Sequence, residues 1–500
     1  MSIAEAAWQG FLLVFSWPNI LYPTVATLLA MVFAFLPGLS GITLMALAIS
    51  LTFHWEPLPV VLIFGAFTGG ATFMGSITAI LFNIPGTAPS AATMIDGHPM
   101  ALQGKARTAI ACSATASALG STIGVALFIA LLPLLRRFIL AFGPAEMLMF
   151  AIWGLATIAA FTGRSLPKGL AAAALGLLFA TIGFDPRTAE LRFTFGWPDL
   201  HDGLNVIPVF LGLFAVAEAL RLAAGSRSLG GARLDLRGSM KEGIIAPFRH
   251  FGLLVRSSIT GAVVGMIPAA GGTVAGFLAY GQAAQSEHDN SQFGKGDIRG
   301  VLAPEAAHDA KDGGSLAPTL VLGVPGNEGT ALLLAALTLH GIVPGPALLT
   351  AHLPLVFALV WSLFYSNWLT SLLGLALTRP LHRLPAIRLD LLAPFILVFA
   401  VLGAYAARQR FSDVLIAFAF GLLGYFFKRF GWPTVPLVTA LVLGPIFEIN
   451  LHLTRGLHHS GRIDFFARPL VWILAVLMIL MFAWPRLRSV PTRIRQAVQR

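Results

Sequence analysis

Asn83-Ile84-Pro85-Gly86-Thr87-Ala88-Pro89-Ser90-Ala91-Ala92-Thr93 interrupts one apolar run of the chain, and Gly323-Val324-Pro325-Gly326-Asn327-Glu328-Gly329-Thr330-Ala331 interrupts another about 240 residues later. In each, a Pro-Gly pair halts the run, because proline has no amide hydrogen to give and glycine no side chain to hold a helical turn. Small and hydroxylated residues then restart it. Backbone at membrane depth must find its hydrogen bonds within protein, so a break survives only where it is buried in protein or lines a wet cavity. A kink or a tight small-residue helix contact would account for one such break alone. Two breaks at matching places in two halves are the sequence mark of a carrier's binding site.

The surrounding chain is 57 % apolar and 11 % charged, with a mean hydropathy of +0.81. A soluble domain carries about 25 % charged residues. Apolar runs recur from residue 18 to residue 484, many near the ~20 residues that cross a bilayer. The expected fold is therefore an all-α, polytopic integral membrane protein with broken or re-entrant helices. The net charge of +11 does not point to nucleic acid. No Lys or Arg precedes Lys105, and the positives then gather in short segments between apolar runs and in the tail 486–500, which holds five Arg and no acid. That is the distribution of cytoplasmic loops, not of a phosphate-binding stripe. The lone Cys112 excludes an internal disulfide and a cysteine metal site. No basic segment opens the chain, so no removable signal peptide is expected.

Landmarks recur in fixed order at an offset of about 230–245 residues. Pro37 in FLPGLSG answers to Pro268 in MIPAAGG, Pro85 to Pro325, Pro208 to Pro436, and Glu218 to Glu448. This order implies two structural repeats, 15–225 and 245–455, joined by a linker at 226–244. An extra transmembrane helix at 468–484 and the basic tail 486–500 complete the chain. Seven hydrophobic elements are expected per repeat: near 18–36, 39–53, 57–82, 107–132, 145–162, 166–183 and 204–222, and near 250–267, 271–283, 300–322, 330–378, 387–407, 412–428 and 434–453. An odd number of spans inverts the second repeat relative to the first. The stretch 221–249 holds six Lys/Arg against two acids, which sets it and the C-terminus in the cytoplasm.

The substrate-binding candidates are Pro85, Gly86, Thr87, Ser90 and Thr93 in the first break, and Pro325, Gly326, Asn327, Gly329 and Thr330 in the second. Thr87 or Ala88 is expected to cap a restarting helix with Pro89 in its first turn, where free N–H groups and the positive dipole end suit a carboxylate. Two such ends facing each other could hold a multi-carboxylate anion without a buried arginine. Pro37, Gly38, Ser40 and Gly41, with Pro268, Gly271, Gly272 and Thr273, are expected to break the helices that approach the same place; a plain loop is the competing explanation. Glu305, His308, Asp309 and Asp312 share one helical face by their spacing. Glu305, His308 and Asp309 are coupling-ion candidates, able to bind a cation or relay protons, against the alternative of a solvated helix with local pairing to Lys311. Glu146, Glu218 and Glu448 stand at or inside apolar segments and are candidates by that position. His458-His459 has no carboxylate or further histidine at ligand spacing and is read as loop; no metal site is expected. The glycines form no nucleotide-binding fingerprint, so ATP-driven transport by this chain is not expected.

With these motifs in view, the chain resembles the large membrane subunit of the tripartite tricarboxylate transporters over almost its whole length. The likeness rests on FLPGLSG around Pro37, GSITAILFNIPGTAPSAATMIDGHP from Gly75 to Pro99, GKAR from Gly104, FGKGDIRGVLAPEAAHDA from Phe293, LGVPG from Leu322 and HGIVPGPAL from His340. The resemblance implies a carrier of the bacterial inner membrane that takes carboxylates from a periplasmic solute-binding protein. It also implies a small four-helix membrane subunit as partner, and drive by a sodium or proton gradient (Na+ or H+ as coupling ion, no other cofactor). The chain departs from the family pattern at Ala269, at Glu328 and at His308-Asp309. Two other functions compete with this one: an intramembrane enzyme built on Glu305, His308 and Asp309, which needs no duplicated break, and a passive anion channel, which needs a continuous polar helix face.

Overall fold

The computed structural model of the protein describes residues 2–35, 41–83, 85–141, 143–161, 165–185, 187–224, 237–267, 271–287, 289–381, 392–460, 464–465, 467–476 and 478–479. Pro37, Gly38, Ser40, Pro268 and Ala269, residues 226–236 of the linker, the end of the extra helix beyond 479 and the basic tail 486–500 lie outside the described residues.

The chain is helical almost throughout. In the first half run α1 (Ile3–Phe15), α2 (Leu21–Phe35), α3 (Gly41–Leu51), α4 (Pro57–Gly70), α5 (Thr72–Phe82), α6 (Met94–Leu102), α7 (Ala106–Ala141), α8 (Pro144–Phe161), α9 (Leu166–Ala180) and α10 (Val206–Ala223). A two-residue antiparallel ladder, β1 (Gly183–Phe184) with β2 (Leu191–Arg192), sits between α9 and α10. The second half runs α11 (Met240–Arg249), α12 (Phe251–Met266), α13 (Gly271–Ser286), α14 (Ile298–Leu322), α15 (Glu328–Leu339), α16 (Pro346–Thr350), α17 (Leu353–Leu381), α18 (Leu392–Arg408), α19 (Phe411–Arg429) and α20 (Thr434–His459). Among the described residues, six stretches are long and apolar enough to cross a membrane: Pro57–Phe82, Ala106–Arg137, Val206–Ala223, Leu353–Leu377, Phe411–Arg429 and Thr434–His459. The protein is a polytopic, all-α membrane protein.

The chain forms two compact units, residues 1–139 with 205–434, and residues 140–204 with 435–500, each drawing on both sequence halves. The first unit is built around α14, which is buried from Gly300 to Val321. Small residues let its neighbours approach to backbone distance, which is how helices associate where lipid removes the hydrophobic drive. A Cβ on Gly120 or Gly124 of α7 would run into the backbone of Ala306 or Ala310, and one on Gly261 or Gly265 of α12 into that of Ala307 or Lys311. On the same plan Gly65 and Gly69 of α4 press on the carbonyls of Leu359 and Leu363 in α17. A ladder of hydroxyls joins that pair: Ser362 donates to the Leu62 carbonyl at 2.5 Å, Ser366 to Ala66 at 2.7 Å and Thr370 to Gly70 at 3.4 Å. The rungs fall four residues apart, so they line one helix face. In the same unit Gly212 of α10 meets the Ala417 carbonyl of α19.

In the second unit Gly176 of α9 meets the Leu437 carbonyl of α20, and Gly444 meets Ala180. Arg192, at the end of the ladder, donates to both oxygens of Glu448 at 2.5 and 3.1 Å and to Asp185 at 3.2 Å. Backbone N–H groups of Thr188 and Arg187 hold the Asp185 carboxyl below its usual value. Glu146 accepts from the Gly143 amide at 2.8 Å and pairs with Arg468 at 2.6 Å.

The structure departs from the sequence-based expectation in specific places. The element expected at 57–82 bends at Ala71 into α4 and α5. The one expected at 330–378 is two helices, α15 and α17, with the short α16 between. Helix α1 lies ahead of the first expected element, and its Gly10 packs against Phe357 and Ala358 of α17. His458 and His459 close α20 rather than lie in a loop. At 11 residues, α3 and α5 each span only about 16 Å, roughly half the hydrocarbon thickness, which fits the short, broken elements expected around the Pro-Gly stretches.

Candidate functional site

Both breaks leave their helix the same way. Helix α5 ends in Asn83 at φ 55, ψ 32, and α14 ends in Gly323 at φ 68, ψ 19, so each chain turns through the left-handed region. Each then passes its Pro-Gly pair and enters an extended residue, Thr87 at φ −129, ψ 153 and Asn327 at φ −160, ψ 179. A residue three positions on closes the cap. Ser90 Oγ donates to the Thr87 carbonyl at 2.7 Å, and Thr330 Oγ1 donates to that of Asn327 at 3.0 Å. Asn327 also trades bonds with Thr330: its Oδ1 accepts from the Thr330 amide at 3.0 Å and its amide donates to Thr330 Oγ1 at 2.9 Å.

Beyond the caps the two breaks diverge. From Asn327 the chain enters α15, a full helix of 12 residues. From Thr87 it makes only a four-residue 3-10 turn, Ala88–Ala91, and α6 begins at Met94. The helix start expected at Thr87 is thus a single turn, too short to add up a dipole. Among the described residues, two polar groups at the caps are buried without a hydrogen bond, Thr87 Oγ1 and Asn327 Nδ2. The Thr87 side chain lies on Gly75, where a Cβ would collide with it. Gly86 is wedged between Thr78, Gly75 and the Ala34 carbonyl, and its amide donates to Gly75 at 3.1 Å.

The two breaks meet on one turn of α14. On the first side, Gly272 of α13 is packed so that a Cβ would touch both Pro89 and the Cε of Lys311. Gly276, one turn along α13, faces Ala92, the Pro89 carbonyl and Pro304. On the second side, Gly326 abuts Ser315 and the Gly265 carbonyl. Lys311 and Ser315 are four residues apart and share a helix face. Gly271, at φ +67, opens α13 beside this point, and Thr273 lies in its first turn. Gly41 opens α3 against Ala71, and α3 reaches the second break through Met45, whose sulfur lies near Gly329.

A buried ionic cluster stands beside this turn. Glu305, His308 and Asp309 are each 0 % exposed, not the solvated face that their polarity alone suggests. His308 sits between two carboxylates: Nε2 is 3.3 Å from Glu305 and Nδ1 is 3.1 Å from Asp309. Thr93, a candidate from the first break, donates to Glu305 Oε1 at 2.5 Å, and Ser117 of α7 donates to Asp309 Oδ2 at 2.6 Å. With its amide oriented to suit its neighbours, Asn367 of α17 donates to Asp309 at 3.2 Å and accepts from Ser121 at 2.9 Å. The ligand-bearing atoms of Glu305, His308 and Asp309 lie within 4.8 Å of one another, as do those of Asp185, Glu448 and His452. In the second group Arg192 already pairs two of the acids.

Glu218 and Glu448, singled out for their membrane depth, are paired acids. Glu218 binds Arg221 at 2.5 Å and Lys428 at 2.7 Å, as Glu448 binds Arg192. Two residues of the site carry no clear mark in the sequence. Asp96 is fully buried and accepts from the amides of Gly296 and Asp297 at 2.8 and 2.9 Å and from the Tyr280 hydroxyl at 2.9 Å. It thereby fastens the segment after the first break to the start of α14. Lys311 reads in sequence only as a local partner of the acids, yet it is the one described Lys or Arg that is buried, at 8 % exposure. Its place beside Gly265 and Gly272 is the available signal, since two glycines from different helices lie against it only in three dimensions.

A family model described as the tripartite tricarboxylate transporter TctA family matches residues 20–439. An uncharacterized 52.8 kDa protein in the TAR-I ttuC' 3' region of Agrobacterium vitis is 32 % identical over 455 residues, 90 % of each chain. A second uncharacterized protein of that organism, in the TAR-II ttuC' 3' region, is 30 % identical over 232 residues, 46 % of this chain and 96 % of that one. No solved structure matches. The chain belongs to the tripartite tricarboxylate transporter TctA family, a family of membrane transporters.

Proposed function

We propose that the protein is the large transmembrane subunit of a binding-protein-dependent secondary transporter that imports tricarboxylates or related carboxylates. The observation that carries this reading is the convergence of two breaks of like backbone geometry on the Lys311–Ser315 turn of a helix buried from Gly300 to Val321. Pro85, Gly86, Thr87, Ser90, Thr93, Pro325, Gly326, Asn327, Gly329 and Thr330 surround the substrate. Glu305, His308 and Asp309 take the coupling ion, sodium or a proton, and the Thr93–Glu305 hydrogen bond ties that cluster to the first break. Alternating access moves one half's elements against the other's. Crossed pairings support a relation between the halves: α4 packs on α17 as α14 packs on α7, and α10 packs on α19 as α9 packs on α20. The protein works in the bacterial inner membrane with its C-terminus in the cytoplasm, beside a small four-helix membrane subunit and a periplasmic solute-binding protein. The complete burial of His308 weighs against an enzyme built on that cluster.

The test is uptake of labelled citrate and dicarboxylates by cells that express the chain with and without the two partner proteins, in sodium and in sodium-free buffer. Partner-dependent accumulation against a gradient is the expected result. Absence of accumulation for every carboxylate, with all three proteins in place, overturns the reading.

A further inference from the structure

We propose that Lys311 is the cationic anchor for a carboxylate group of the substrate. This rests on the carboxylate reading above and adds a residue that neither break contains. Bringing an anion of two or three charges into a buried site requires compensating positive charge. The helix ends do not supply it. The 3-10 turn at Ala88–Ala91 is four residues long, and α15 opens with Glu328, whose charge offsets the half-charge that a helix N-terminus offers.

Lys311 supplies what is missing. Its Cε, Pro89 of the first break and Gly272 crowd one point, and Ser315, one turn further, abuts Gly326 of the second break. An ammonium carries three donors. Among the described residues Lys311 uses one of them, toward the neighbouring Asp312. Buried donors are nearly always paired, so the two that remain suit acceptors brought by a ligand. Asp312 is itself buried, and among the described residues its Oδ2 makes no hydrogen bond. In this arrangement Asp312 orients the lysine, and a substrate carboxylate takes the free donors, with Asn327 Nδ2, buried and unbonded among the described residues at the second break, as a further donor. The nearby Glu305, His308 and Asp309 stand on the same helix, and among the described residues their carboxylates pair with His308 rather than with the Lys311 ammonium.

The experiment is binding of citrate, a dicarboxylate and a monocarboxylate to the purified full-length chain, read by calorimetry, together with uptake in the assembled system. The double variant K311M/D312N removes both charges at nearly constant volume, so it leaves no orphaned buried charge. It is expected to be monodisperse and to bind citrate about thirtyfold or more weakly than the wild type, a loss in keeping with one charge-assisted contact. K311R keeps the charge on a larger, planar head and is expected to retain more affinity than K311M/D312N. Wild-type affinity in K311M/D312N, or loss in K311R with retention in K311M/D312N, makes Lys311–Asp312 a packing pair and overturns the assignment alone. A wild-type chain that binds none of the three carboxylates and, with both partner proteins in place, accumulates none overturns both this assignment and the transport reading beneath it.

Discussion

Thr93 is the residue through which the two halves of the site meet. Its hydroxyl ends the first break, and its acceptor is Glu305 of the buried cluster, 2.5 Å away. Removing one partner of a buried bond to a carboxylate leaves the other desolvated and unpaired, which costs about 1–3 kcal/mol. T93V is therefore expected to weaken both substrate affinity and the response to the driving ion, by about tenfold each, measured as half-saturation for substrate and for the ion. H308N separates the roles: gradient-driven accumulation should fall to the level reached without a gradient, while exchange of labelled for unlabelled substrate persists. Loss of exchange as well would make His308 a residue of folding or binding rather than of coupling. Thr93 was legible in the sequence through the duplicated Pro-Gly stretch, and His308 through its spacing on one helical face with Glu305, Asp309 and Asp312. Lys311 was not, because its neighbours Pro89, Gly265 and Gly272 come from three other segments.

At the scale of elements, close helix contacts hold the site in place. The hydroxyl rungs Ser362, Ser366 and Thr370 fix α17 on α4. Hydrogen bonds between membrane helices average about 0.6 kcal/mol, so S362A/S366A is expected to lower stability by about 1–2 kcal/mol, seen in a denaturation series. Gly124 allows no such tolerance, since a Cβ there meets the Ala310 backbone and Gly124 itself is met by Gly313. G124L is expected to abolish assembly, as size-exclusion chromatography of the purified chain would report; a monodisperse, active G124L chain would refute the packing described for α7 and α14. The pattern of apolar runs revealed most helices to within a few residues. It merged α15 with α17 because Gly341–Gly345 and the short α16 are themselves largely apolar, and it missed the bend at Ala71, where Gly69, Gly70 and Thr72 sit inside an otherwise apolar run and no proline marks the turn. The restart at Thr87 carried the signals of a helix cap, Thr-Ala-Pro-Ser, but closed a single 3-10 turn instead.

For the molecule as a whole, the breaks are the feature around which the first unit is arranged. Composition was enough to establish a polytopic helical membrane protein, and the duplicated Pro-Gly stretches were enough to find the candidate site. Sequence order could not show that both stretches end on one turn of α14, since that depends on how α7, α12 and α13 close around it. The single Cys112 is fully buried and free, so the native chain offers a quiet background for thiol chemistry. Ala88 is exposed in the first break, and in the second a Cβ on half-buried Gly329 would stand 3.2 Å from Asn327 Oδ1, so a cysteine there asks the cap to give by a few tenths of an ångström. The measurement that bears most directly on a shared site is the rate of thiol alkylation in the A88C and G329C variants over a range of citrate concentrations. One site predicts that citrate slows alkylation at both positions with the same half-maximal concentration. Protection at one position alone, or at neither while the protein still transports, would contradict it.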